Sequence, residues 1–405
     1  VNFESVAIAD LKPLPKNARK HSKRNLNVIK KSLEECGQQK PIVIDAGNTV
    51  IAGNGTLAAA KLLGWKEIWV HRTALDPGRA ELFAILDNRA AELAEWDVDE
   101  LTGALDQLEK DGWEMDQFGW DDKEREKIRP KVSKEGMTDD DAVPEVVETR
   151  CQLGDLWQLG DHRLLCGDST DVLCVERLMG GVKASVWLSD PPYGINHVEV
   201  SNEKGQSKGY AKIANDDLKD DEFKDFIFAV ISASLPHMKK GFAFYMWHAM
   251  KMQGYTAAAA AAAAGILFHR QIIWVKPQFV FGRGHYHWRH ELCLMGWLQG
   301  NEPEFYGERN QSTVWECSRE NDKIHPTQKP VDLLAPSITN HTITGEVVYE
   351  PFSGSGSTLI ACEKTNRTCY GMEIDPHYCD VIITRWENFT GKKAILSTGE
   401  GSGNG

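Results

Sequence analysis

No apolar run in the 405-residue sequence approaches the ~20 residues needed to cross a bilayer. The start of the chain shows no basic stretch followed by an apolar core, as a secretory leader would. There is no Cys-x-x-Cys pair either. The nine cysteines, at 36, 151, 166, 174, 293, 317, 362, 369 and 379, are odd in number and irregularly spaced. A disulfide framework or a zinc site needs regular pairing, so reduced thiols, no metal and a cytoplasmic location are expected.

What the chain has in excess is acid, and it is concentrated in one place. The net charge is −13, yet Glu95 to Glu148 alone hold 19 acidic against 7 basic residues, which leaves the remainder close to neutral. An acidic connector repels phosphate but says little about a cleft elsewhere, so nucleic acid is not excluded as a partner. The hydrophobic share of 41% and charged share of 26% are those of a globular protein, and the length suggests more than one domain.

Residues 1–92 read as a small α/β unit. A helical stretch, Asn25–Cys36, stops at Gly37. Two apolar runs, Pro41–Asp45 and Thr49–Ala52, flank a turn and predict a hairpin. Gly53-Asn54-Gly55-Thr56 then opens an Ala/Leu-rich helix, and Glu67–His71 is strand-like. Residues 93–148 read as an acidic helical linker with a polar end, and 149–394 as the main domain. The Gly/Ser-rich end, 395–405, is expected to be disordered. Ala257–Ala264 suits a helix and carries no functional reading.

Chemistry enters at Ala184–Leu188, an apolar strand that runs into Asp190-Pro191-Pro192-Tyr193. The prolines stiffen the backbone and remove two N–H donors, leaving a carboxylate, carbonyl oxygens and an aromatic ring at the strand's end. That set suits a planar amine. The aryl nitrogen of adenine or cytosine is a poor nucleophile, because its lone pair is delocalised into the ring. Acceptors on its hydrogens favour the pyramidal form, and Tyr193 can stack on the base. Alone, the tetrapeptide is more often a Pro-rich turn with a surface Asp.

A second strand, Gly345–Tyr349, leads into Glu350-Pro351-Phe352-Ser353-Gly354-Ser355-Gly356, then an apolar helix, then a strand ending at Glu373. This is a βαβ unit with a Gly-rich first turn and an acid to receive ribose hydroxyls. By itself the unit leaves nicotinamide cofactors in competition.

Taken together, the DPPY tetrapeptide, the F-S-G-S-G turn and His325-Pro326-Thr327-Gln328-Lys329-Pro330 resemble the amino-group DNA methyltransferases. Their order along the chain resembles the circularly permuted β class. The resemblance covers roughly 149–394 and implies a Rossmann-like fold, S-adenosylmethionine as cofactor and double-stranded DNA as partner, with homodimerisation left open. It places Asp190, Pro191, Pro192 and Tyr193 at the target base. Asp168, Thr327, Lys329, Glu350, Phe352, Gly354, Gly356 and Glu373 fall to the cofactor. The family usually has Asp where Glu350 stands. Asp before Pro-Pro leans towards adenine N6 over cytosine N4, the runner-up.

Target recognition is expected within 269–324, where basic residues, five histidines between His269 and Lys329 and several aromatics interleave. Any single aromatic there is better read as core. Arg283, His285, His287 and Arg289 are the candidates for DNA contact, because glycines flank them. The first unit resembles the ParB/sulfiredoxin-like domain through Pro41–Ile44 and Val50–Thr56, although its turn lacks the basic residues and the Cys of those families. Such a fusion resembles phage and prophage modification enzymes. A ParB-like DNA-binding protein with a relic catalytic domain is the rival from another class, and it sits poorly with so many retained motif residues.

Overall fold

The computed structural model describes residues 3–15, 18–94, 96–128, 134–146, 149–193, 217–280, 285–317 and 328–397. The chain divides into two compact units, Val1–Pro130 and Lys131–Gly405.

The first unit contains β1 (Phe3–Ala7), β2 (Lys12–Pro13), α1 (Lys23–Cys36), β3 (Ile42–Ile44), β4 (Thr49–Ala52), α2 (Asn54–Leu62) and β5 (Glu67–Arg72). Its strands form one sheet in the order β1-β5-β3-β4-β2, with β3 and β4 antiparallel as the turn between them predicts. Ser22 caps α1 by accepting from Asn25 N–H, and Gly37 ends it at φ 68°. Ile42, Ile44, Val50, Ile68 and Val70 alternate inward and pack on Leu57, Ala59 and Ala60 of α2. Gly53 begins α2 at φ 91°, and a Cβ there would lie 2.5 Å from Ile42 Cγ2, so both backbone and packing require glycine. Three helices follow, α3 (Pro77–Leu93), α4 (Val98–Lys110) and α5 (Asp122–Ile128).

The second unit begins with β6 (Leu156–Leu159), β7 (His162–Cys166), α6 (Val172–Met179) and β8 (Ala184–Ser189). It continues through α7 (Asp220–Ser234), β9 (Met238–His248), α8 (Gln253–Ala264), β10 (Ile266–Val280), β11 (Trp288–Leu298) and β12 (Val314–Glu316). Then come α9 (Val331–Thr339), β13 (Val347–Glu350), α10 (Ser357–Lys364), β14 (Thr368–Glu373), α11 (Pro376–Thr390) and β15 (Ile395–Leu396). The ten strands form a single sheet, β12-β10-β11-β9-β8-β13-β14-β7-β6-β15. Its middle, β9-β8-β13-β14-β7, is parallel, and antiparallel pairs extend it on both sides.

A parallel strand covered on both faces should be apolar throughout, and β8 is buried at all six positions. Val186 and Leu188 face one cluster with Ala243 and Tyr245. Trp187 faces the other, where its ring stacks on Phe244 at 4.3 Å. From β8 the chain passes through α7 to β9, and from β13 it passes through α10 to β14 on the opposite side. A crevice therefore opens where the C-terminal ends of β8 and β13 lie side by side, which is the ligand position in a doubly wound sheet.

Two boundaries differ from the sequence expectation. The linker expected to reach residue 148 gives way to the second unit at 131, and its acidic end is built into that unit. Lys134 N–H donates to Lys364 C=O at 2.8 Å and Met137 N–H to Phe389 C=O at 2.8 Å, while Asp141 Oδ1 accepts from Val331 N–H at 2.9 Å. Its polar composition looks like a linker because its partners, Lys364 and Arg385, come from far along the chain. At the other end, Ile395 and Leu396 pair with Gln158 and Trp157, so the sheet extends into the tail expected to start at 395. Residues 398–405 lie outside the described residues. The alanine run is helical, with Ala259 and Ala260 in the core.

Candidate active site

Asp190 follows directly on β8, so a stiff buried strand and two prolines fix where its carboxylate points. Both of its oxygens are held. Tyr193 Oη donates to Oδ1 at 2.7 Å, and Lys329 Nζ donates to Oδ2 at 2.7 Å. Lys329 Nζ also donates to Tyr193 Oη at 3.2 Å and lies 5.2 Å from the Trp247 ring centroid. Its side chain is 6% exposed, and its second counter-ion is Glu291 of β11, at 3.0 Å. A buried ammonium is tolerated when paired in this way. Burial alone would lower the Lys329 pKa, but Asp190 and Glu291 outweigh it and raise the pKa above the ordinary lysine value. Burial and the Asp190 charge together push the Tyr193 phenol well above its usual value, so it stays protonated and donating.

The resemblance implied that Lys329 serves the cofactor. In the structure it holds the carboxylate of Asp190, 139 positions away in the chain. Thr327 and Arg283 lie outside the described residues. Trp274 is core, but the core expectation does not hold for Tyr286 and Trp288, which are exposed, or for Trp297, Tyr306 and Trp315, which are half-buried; Trp297 stacks on His269 with centroids 3.5 Å apart. His285, His287 and Arg289 are exposed near the turn between β10 and β11. Tyr286 among them is 91% exposed, and Phe279 stacks on His287 at 5.3 Å.

The second half of the site stands at the ends of β13 and β14. Gly354, at φ 51°, donates its N–H to Glu373 Oε2 at 2.8 Å, and Asp375 N–H donates to Oε1 at 3.0 Å. Gly356 caps α10 at φ 82°, and a Cβ there would press on Ile382 at 3.1 Å. Phe352 leans on Phe226 of α7 with centroids 5.7 Å apart. Asp168, two residues past the end of β7, lies in the loop that Gly167 ties to this turn, exposed, accepting from Thr170 N–H and Oγ1 at 2.8 Å each. Gly167 N–H bonds Glu373 C=O at 2.9 Å and ties the two loops.

Burial pushes the Glu373 carboxyl up to about 7 and that of Glu350 up to about 8. Glu350 Oε1 accepts from Thr358 Oγ1 at 2.6 Å, while its Oε2 is buried without a hydrogen-bond partner. These residues fit S-adenosylmethionine. Beside Gly354 no atom lies within 4 Å of a Cβ position, so the backbone is open to close approach. The carboxylates keep lone pairs for hydroxyl or ammonium donors. Glu350, Phe352, Gly354 and Glu373 would hold it.

Three features of this neighbourhood were not legible in the sequence. Arg385, buried in α11, donates to Ser355 C=O in the glycine turn at 2.8 Å and to Asp140 C=O at 2.7 Å. Burial lowers its pKa to about 10. Glu291 is the second. The third is a group of buried thiols, Cys151, Cys166 and Cys379, whose sulfurs lie within 4.8 Å of one another behind the Glu373 loop. Their spacing of 15 and 213 positions gives no motif. Each thiol faces a backbone carbonyl oxygen, of Gln152, Ile374 and Glu373 respectively, at 3.9, 4.0 and 3.6 Å. Among the described residues no fourth side-chain ligand joins them, one short of the usual zinc shell.

A doubly wound sheet with a carboxylate at one strand end, and a glycine turn with its paired acid at the next, is the frame of a Rossmann-like domain that binds a nucleoside-containing cofactor. Residues 184–384 match the model of the family described as DNA methylase, and the chain carries a domain of this N6/N4 amino-group methylase family. The type II methyltransferase M.HpaI of Haemophilus parainfluenzae is 25% identical over 258 residues, 58% of this chain and 77% of that one. Among solved structures, the M1.HpyAVI–SAM complex aligns with a TM-score of 0.42 and 20% identity over 55% of this chain and 98% of that one. The truncated partitioning protein ParB of Caulobacter crescentus aligns with a TM-score of 0.25 and 20% identity over 32% of this chain and 75% of that one. No helix among the described residues is long and apolar enough to cross a membrane.

Proposed function

We propose that the protein is a site-specific DNA methyltransferase that transfers the methyl group of S-adenosylmethionine to the N6 amine of adenine in double-stranded DNA. The observation that carries this reading is the Asp190 carboxylate. It stands at the end of β8, held on both oxygens, beside the crevice formed with the glycine turn and Glu373. When bound, S-adenosylmethionine supplies an electrophilic methyl group. The target base has to leave the duplex, because its amine is otherwise engaged in a Watson–Crick pair. Remaining lone pairs of Asp190 and the Pro191 carbonyl accept the two amine hydrogens. That draws the nitrogen towards the pyramidal form and aims its lone pair at the crevice. Tyr193 packs on the base, and the ammonium of Lys329 keeps the carboxylate from rotating. Rate enhancement then comes from positioning and preset electrostatics.

Adenine is favoured over cytosine by the Asp before Pro-Pro; the matched family embraces both bases. The exposed His285, His287 and Arg289 supply DNA contacts beside the turn between β10 and β11. The kinship with M.HpaI, a type II methyltransferase, suits a role in modification of specific sites. Long-read mapping of modified bases in DNA from cells expressing the protein is the test. N6-methyladenine in one recurrent sequence context is expected. N4-methylcytosine in such a context would replace the base assignment, and unmodified DNA would overturn the reading.

A further inference from the structure

A carboxylate neutralised by one buried ammonium is a poor acceptor for amine hydrogens. The ammonium is shared, however. Glu291 Oε2 stands 3.0 Å from Lys329 Nζ, as an ion pair rather than an aligned hydrogen bond, and Glu291 Oε1 pairs with Lys276 Nζ. Four charges of alternating sign thus run from Lys276 on β10 through Glu291 on β11 and Lys329 to Asp190 after β8. Although burial pushes the Glu291 carboxyl up, Lys329 and Lys276 hold it down to about 2, so it is ionised at neutral pH.

The first two members of this row are diagonal neighbours across the β10–β11 pair, because Trp274, two positions before Lys276, is the partner of Glu291. Arg289, two positions before Glu291, donates its Nε to Lys276 C=O at 3.1 Å. The same two strands lead to the exposed His285 and His287. Glu291 therefore joins two things: the ammonium that orients Asp190, and the hairpin that presents cationic and aromatic groups outward.

We propose that Glu291 is a positioning residue, sharing the charge of Lys329 so that Asp190 stays an effective acceptor, and anchoring both through Lys276 to the β10–β11 hairpin. The inference rests on the amine-orienting role of Asp190 proposed above. Glu291 touches neither base nor cofactor in this scheme. Its loss should lower turnover and leave both binding steps alone.

The test is single-turnover methyl transfer by the full chain and its Glu291→Gln variant, with cofactor and DNA dissociation constants measured alongside. Displacing a reacting group by about an ångström costs on the order of a hundredfold in rate. Glu291→Gln is therefore expected to slow transfer by that order while both dissociation constants change by less than about twofold. Lys276→Met leaves Glu291 and Lys329 in place, keeps the test open if Glu291→Gln folds poorly, and is expected to slow transfer less, in the same direction. Transfer at the wild-type rate in both variants would overturn the inference alone. Weakened cofactor or DNA binding with an unchanged rate would also overturn it, because Glu291 would then serve binding. A wild type that methylates no DNA would overturn the function itself and this inference with it.

Discussion

The amide of Gly354 donates to Glu373 Oε2 at 2.8 Å, so the first glycine of the turn and the acid 19 positions later form one unit. The acid shapes the turn as well as offering lone pairs to a ligand. Glu373→Ala removes both effects and is expected to weaken S-adenosylmethionine binding by about 1–3 kcal/mol. Calorimetric titration with the cofactor checks this. Unchanged affinity in a folded variant would place the cofactor elsewhere.

The two raised carboxyls give the ligand-free protein a pH dependence of determinable sign. Glu350 and Glu373 titrate near 4.5 when unfolded, but at about 8 and about 7 when folded. Between those limits the folded state binds more protons than the unfolded chain, so their contribution makes stability fall as pH rises from about 4.5 to about 8. Cofactor binding should run the other way, because its ammonium and sulfonium groups favour the ionised carboxylates. Affinity is expected to rise between pH 6 and about 8.5, with protons released on binding near pH 7. Calorimetry in buffers of different ionisation enthalpy measures that release, and Glu350→Gln should reduce it. Proton uptake, or affinity flat with pH, would contradict the assignment.

Stacking alone would make the Tyr193 hydroxyl dispensable, and the structure says otherwise. Tyr193 Oη donates to Asp190 at 2.7 Å and accepts from Lys329 at 3.2 Å. A hydrogen bond to a charged group is worth about 1.5–3 kcal/mol, roughly ten- to a hundredfold in rate. Tyr193→Phe is expected to show such a loss in methyl transfer while DNA affinity is kept. Wild-type transfer by Tyr193→Phe would mean that the hydroxyl contributes nothing to holding Asp190.

What could be read from the sequence follows from how locally each feature is written. The strand before Asp190, the glycine turn and the acid of Glu373 are contiguous pieces whose local geometry is their chemistry, and the parallel sheet assembles them at adjacent strand ends. Lys329 was visible in its motif, but its partner Asp190 is set by the sheet, not by spacing. Glu291 looked like one more charge in a mixed stretch. Arg385 sits in a helix of mixed polarity with nothing nearby to mark its bond to the glycine turn, and residues 134–142 read as a linker because their cationic partners lie more than two hundred positions away. The three buried cysteines meet through β7, α11 and the loop before β6, which no spacing rule reaches.

In the proposed mechanism Asp190 acts on the amine of the target base and not on the cofactor. Tritiated methyl transfer to unmethylated duplex DNA by wild type and Asp190→Ala, with nucleoside chromatography of the product and cofactor affinity measured in parallel, separates the two roles. Loss of one well-placed polar group in a dry site costs ~10²–10³ in rate, and an orienting carboxylate can cost more. Wild type is expected to yield N6-methyladenine, and Asp190→Ala no measurable transfer with most cofactor affinity retained. Wild-type levels of N6-methyladenine from Asp190→Ala would contradict the claim.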